Sequence, residues 1–153
     1  MKKRIGVAIS VILTVATLVM IWRFSAQDSG ETMALSGGLA WKVWSWLEGV
    51  VEKMGGELSL LGVEAVLRKL AHFGVFMMLG VGLTGIFVWQ KRVPTWLIVL
   101  AIGVVCAAMD EFHQSFVPGR NPAVMDVLID TLGVCVGMGI VMLVVRGCKR
   151  KTE

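Results

Sequence analysis

The chain has 153 residues, 56% of them hydrophobic and only 17% charged, whereas a soluble domain carries about 25% charged residues. Much of its surface must meet something other than water, which argues against a soluble globular domain. The net charge of +4 comes mainly from basic residues at chain ends and in short loops, a pattern that bears on membrane orientation and builds no aromatic-plus-basic surface for nucleic acid.

The first predicted element is Ile5 to Trp22, an unbroken apolar run preceded by Lys2, Lys3 and Arg4. A signal peptide starts the same way, but its apolar region spans about 7–15 residues and ends in a small-x-small cleavage site. Here the run is longer and leads into Trp22-Arg23-Phe24, an interfacial anchor, so a retained helix is expected. The segment 23–69 follows as an outer, Ser-, Gly- and Trp-rich region. Within it Leu39, Val43, Leu47, Val50 and Met54 recur at helical spacing, and Trp41, Trp44 and Trp46 suit the headgroup level. The expectation is a helix along the interface or packed on top of the bundle.

Leu70 to Trp89 is the second span, closed by Gln90-Lys91-Arg92. Pro94 breaks the chain, and the third span runs from Trp96 to about Phe112. Val124 to Val145 is the fourth, followed by Arg146 and Lys149-Arg150-Lys151. Each run is near the ~20 residues that cross the hydrocarbon core. The expected fold is an all-α four-transmembrane-helix bundle, one membrane domain over 1–153 with an outer helical segment.

An N-terminus in the cytoplasm puts Lys2, Lys3, Arg4, Lys91, Arg92, Arg146, Lys149, Arg150 and Lys151 inside. The short-loop bias of basic residues therefore predicts a multi-pass protein of the cell membrane with both termini cytoplasmic. Cys106, Cys135 and Cys148 form no CxxC pair or zinc spacing, so they read as free thiols and no metal site is assigned.

The ionisable residues inside the spans gather at one end. Span two enters as Arg68-Lys69-Leu70-Ala71-His72, and span three leaves as Asp110-Glu111-Phe112-His113-Gln114. The next loop carries Arg120, and span four opens with Asp126 and Asp130 in its first two turns. Asp126 and Asp130 share a helix face that continues through Gly133 and Gly137, so this face should point into the bundle, where glycine lets another helix approach. An ionised side chain at membrane depth costs about 2.5–3.5 kcal/mol unless paired or wetted. Convergence in one outward-facing pocket, with His72 at its edge, is therefore expected. Taken singly the residues have plainer readings: Lys69 as a snorkelling anchor, His72 as an interhelical hydrogen-bonder, Asp126 as a partner of the helix dipole. A purely structural polar network is the competing account of the set.

In such a pocket Asp110, Glu111, His113 and His72 are the candidate catalytic groups, the histidines as general acid or base near neutral pH. Lys69, Gln114, Arg120, Asp126 and Asp130 are the candidate binding groups, with Arg120 the best anion partner. The carboxylates can orient the histidines or hold a hard cation such as magnesium. No nucleophile elbow, P-loop or HExxH spacing names a reaction, and no cofactor is specified.

These segments together, Arg68-Lys69-Leu70-Ala71-His72-Phe73, then Asp110 to Arg120, then Asp126-Val127-Leu128-Ile129-Asp130 with Thr131-Leu132-Gly133, resemble the VanZ-like family of small bacterial membrane proteins. Phe24-Ser25-Ala26-Gln27-Asp28 is similar to that family's serine-and-glutamine stretch after the first span. The chain departs from the pattern at Val75 and Phe76, where relatives carry an acidic residue and tyrosine, and at Asp130, where asparagine is frequent. The resemblance implies a four-span envelope protein associated with teicoplanin resistance and implies no reaction. The expected partners are membrane lipids, with a lipid-linked cell-wall precursor or lipoglycopeptide as ligand, no nucleic acid, and a helix–helix partner through Gly133 and Gly137. A membrane enzyme acting on a lipid phosphate or lipid-linked pyrophosphate is the alternative function, and a small structural or partner-binding subunit the second alternative.

Overall fold

The computed structural model describes residues 2–26, 29–53, 59–90, 93–118, 120 and 123–150, and among these every regular element is an α-helix. The helices are α1 (Lys2–Ser25), α2 (Ser29–Lys53), α3 (Leu60–Phe87), α4 (Thr95–Gln114) and α5 (Val124–Arg150). All but α2 are long and apolar enough to cross a membrane. The protein is an all-α, multi-pass membrane protein.

Two elements differ from the sequence expectation. Helix α3 starts at Leu60 rather than at Leu70. Ser59 caps it, its hydroxyl accepting the Gly62 N–H at 3.1 Å, and no proline lies between this cap and Arg68-Lys69. Charge ended the apolar run without ending the helix. The 28 residues of α3 make about 42 Å of helix against about 30 Å of hydrocarbon, so it can project well past the core. Helix α2 starts at Ser29 instead of near Leu39, while Met54, the last residue of the periodic pattern, lies outside the described residues. Among the described residues α2 touches only α3.

Helix α3 is the hub of the bundle and contacts all four other helices. It runs parallel to α5, as the pairing of Lys69 with Asp126 and of Phe73 with Gly133 requires. It runs antiparallel to α1, with Gly82 against Thr14 and Gly85 against Ser10. The face Asp130–Gly133–Gly137 does point inward. A Cβ on Gly133 would lie 2.5 Å from the Phe73 carbonyl oxygen, and one on Gly137 would overlap the Met77 carbonyl. At Gly133 and Gly137 the helix that approaches is α3 of the same chain.

Between the helices sits a small apolar core of Phe76, Leu79, Leu83, Val99, Ala107 and Val134. Val75 and Phe76, the two family departures on span two, are both buried. The outer surfaces are the reverse of a soluble protein's: Ile12 is 69% exposed and Leu143 68%. Lipid chains solvate such surface as well as a protein interior does, so small interfacial residues and close packing hold the helices together.

Candidate functional site

The polar residues collect at the end of the bundle where α1 and α4 finish and α5 begins, with α3 passing alongside. Helix geometry decides which side chains of α4 meet. Gln114 lies one turn beyond Asp110 and donates from Nε2 to Asp110 Oδ2 at 2.7 Å. Glu111, next around the same side, accepts the Ala123 N–H at 2.6 Å and so ties the end of α4 to the start of α5. Asp110, Glu111 and Gln114 are all buried.

His72 reaches in from α3 and Asp130 from α5. His72 Nδ1 lies 3.6 Å from Asp110 Oδ2 and 3.7 Å from Asp130 Oδ2. The carboxyl groups are almost fully enclosed, at 1% and 2% side-chain exposure. Among the described residues, Asp110 Oδ1 and both oxygens of Asp130 have no hydrogen-bond partner. These three side chains each bring a potential metal-ligand atom within 4.8 Å of one another. His72 is therefore central to the cluster, not at its edge, because three helices converge on it.

Above this floor lies a cavity of about 100 Å³, several times what one water requires. Arg68, Lys69 and Arg120 line it together with Glu111, Asp126 and Asp130. Lys69 pairs with Asp126, both side chains about one-third exposed, so the pair adds little stability, about 0.2–1 kcal/mol. Arg120 donates to the Phe24 carbonyl at 3.3 Å, which brings the loop over the end of α1. Its burial lowers the guanidinium pKa from the ordinary value, and Arg68 adds to this; Asp110, Glu111 and Asp126 oppose it. An arginine stays cationic at physiological pH even so.

His113 is not in this pocket. At 100° per residue it points about 160° away from Glu111, toward α1. There its Nδ1 is 2.8 Å from the Ser25 hydroxyl, and its ring stacks on Trp22 with centroids 4.5 Å apart. Ser25, buried, also donates weakly to the Asp110 carbonyl at 3.4 Å. His113 and Ser25 belong to a second, apolar groove between α1 and α4, about 390 Å³ in volume. Its walls include Leu18, Ile21, Met109 and Phe116, and Asp110 lies where the groove backs onto the polar cluster. Eight of the nine candidate residues thus gather in or beneath one cavity, and His113 does not. Ser25 was missed as a site residue; its signal was a small hydroxyl at the last turn of an otherwise apolar helix.

Neither the curated proteins nor the solved structures include a match to this chain. The model of the VanZ/LLP1 family matches residues 10–145, from the first span through the fourth. That stretch contains every residue that lines the cavity, and the chain belongs to the VanZ/LLP1 family.

Proposed function

We propose that the cavity opens to the outer leaflet, binds the phosphate of a lipid or lipid-linked cell-wall precursor, and thereby protects against teicoplanin-type glycopeptides. The supporting observation is the arrangement of Arg68, Lys69 and Arg120 around one small polar cavity. Arginine offers planar paired donors and lysine a point charge, the combination that anionic headgroups favour. The adjoining apolar groove, with Trp22 and Phe116 on its walls, suits an acyl chain. An acyl-tailed drug and a lipid-linked precursor both sit at this level of the membrane.

The test is expression in a susceptible Gram-positive host. Teicoplanin tolerance should rise more than vancomycin tolerance, and Arg120→Ala should abolish the gain while the protein still accumulates in the membrane. Equal protection by Arg120→Ala protein would remove the pocket as the source of the phenotype. A second reading, a membrane enzyme acting on a lipid phosphate, is favoured by His72 held between two buried carboxylates, a group suited to proton transfer. Release of phosphate from undecaprenyl or phospholipid phosphates by purified protein separates the two.

A further inference from the structure

We propose that His72, Asp110 and Asp130 form a binding site for one divalent transition-metal cation of the manganese or zinc class. The three residues come from three different helices and present one imidazole nitrogen and two carboxylates within 4.8 Å of one another. Acidic clusters are common, and the proposal rests on what these acids lack. Asp130 is 1% exposed, and among the described residues neither of its carboxylate oxygens has a hydrogen-bond partner. Asp110 Oδ1 is in the same condition. A buried ionised carboxylate left so is costly unless a cation meets it.

His72 alone does not meet that need. Its Nδ1 stands 3.6 and 3.7 Å from the nearest oxygens, beyond the range of about 2.7–3.2 Å for an N–H···O bond. One ring N–H could in any case serve one carboxylate at a time. The distances fit a shared ion better. Two donors each ~2.1 Å from a common zinc and set at a tetrahedral angle are about 3.4 Å apart. Two carboxylates also neutralise a dication.

The donor set selects the kind of metal. Magnesium prefers oxygen ligands throughout, and an imidazole nitrogen moves preference toward manganese, iron or zinc. Gln114, donating to Asp110 Oδ2 at 2.7 Å, is the kind of outer partner that orients a ligating carboxylate. The cavity above leaves room for water or a phosphate oxygen to complete the coordination.

The experiment uses full-length protein in maltoside micelles, stripped with chelator and kept free of phosphate, with Mn²⁺ alone as the probe. We expect about one Mn²⁺ per chain, as three ligands around one centre imply, with an imidazole ¹⁴N coupling in the pulsed EPR spectrum. Loss of even an outer-shell partner costs about 10–100-fold in metal affinity, so Asp130→Asn and His72→Gln should each weaken binding at least that much. Glu52→Gln, on the exposed face of α2, should bind as the parent does. Three results would overturn the site: no Mn²⁺ bound, Mn²⁺ bound without nitrogen coupling, or undiminished binding by Asp130→Asn. Should either variant fail to fold, the nitrogen coupling of the parent protein decides. No lipid phosphate or drug takes part, so failure here leaves the headgroup reading standing, and failure of that reading leaves this one.

Discussion

His72 Nδ1 and Asp130 Oδ2 lie 3.7 Å apart on two parallel helices, and the glycines of α5 bring those helices together. Gly133 and Gly137 follow Asp130 on one face and abut the backbone of α3 at Phe73 and Met77. Close packing one and two turns deeper therefore sets the reach of the polar pair. Four expectations follow from this linkage and from the geometry around it.

Removing the imidazole should cost more than removing the charge it faces. His72→Ala leaves Asp110 and Asp130 opposed and buried, and breaking such an arrangement costs about 3–5 kcal/mol. Asp130→Asn relieves the like-charge contact and should cost less. In the double variant the two losses should sum to less than their separate values, since one network is removed twice. Denaturant unfolding of the purified protein in micelles measures all three. Simple additivity would mean that the two side chains are not coupled.

Glycine substitutions should divide by position. Gly137→Val places side-chain atoms into the Met77 carbonyl and must push α3 and α5 apart, so folded protein should fall sharply. Gly139 has open space where its Cβ would be, so Gly139→Ala should be neutral or stabilising by up to about 1 kcal/mol, the helix preference of alanine over glycine. Fluorescence-detected size exclusion of the membrane extract reads both, and a Gly137→Val protein that elutes like the parent would contradict the observed packing.

Orientation can be read with single cysteines in a background lacking Cys106, Cys135 and Cys148. Ser115 and Val93 are both exposed and lie at opposite ends of α4. If the basic bias of the short loops sets topology, Ser115→Cys should react with a membrane-impermeant thiol reagent in intact cells and Val93→Cys should not. The opposite pattern would turn the cavity toward the cytoplasm and end the outer-leaflet proposal.

At Arg120 shape should matter as well as charge. Arg120→Lys keeps the cation but loses the paired planar donors. Losing one charge-assisted hydrogen bond, about 1.5–3 kcal/mol, corresponds to roughly ten- to hundredfold weaker binding of a lipid phosphate. Arg120→Ala should bind more weakly still, and Lys42→Ala, on exposed α2 surface, should match the parent. Titration of short-chain lipid phosphate into labelled protein gives the series, and equal binding by the lysine and arginine forms would argue against bidentate contact.

Much of the fold was legible in the sequence because the bilayer imposes a length and an apolarity on every span, and the runs from Ile5, Trp96 and Val124 meet both. The inward face of α5 was legible for a similar reason, since Asp126, Asp130, Gly133 and Gly137 repeat at helical spacing on one helix. The start of α3 was not: Arg68 and Lys69 interrupt hydrophobicity but not hydrogen bonding, and apolar runs report lipid contact rather than helix length. Nor was the placing of His113 and His72. Sequence spacing relates residues of one helix to each other, while the rotation of α4 against α1 and α5 is set by packing. That rotation turned Glu111 to the cavity and His113 to Trp22 and Ser25. The meeting of His72, Asp110 and Asp130 likewise joins three helices that no local spacing relates. Tertiary contacts bring them within 4.8 Å of one another: Gly133 and Gly137 set α5 against α3, and Gly103 lets α4 approach α5 at Val134.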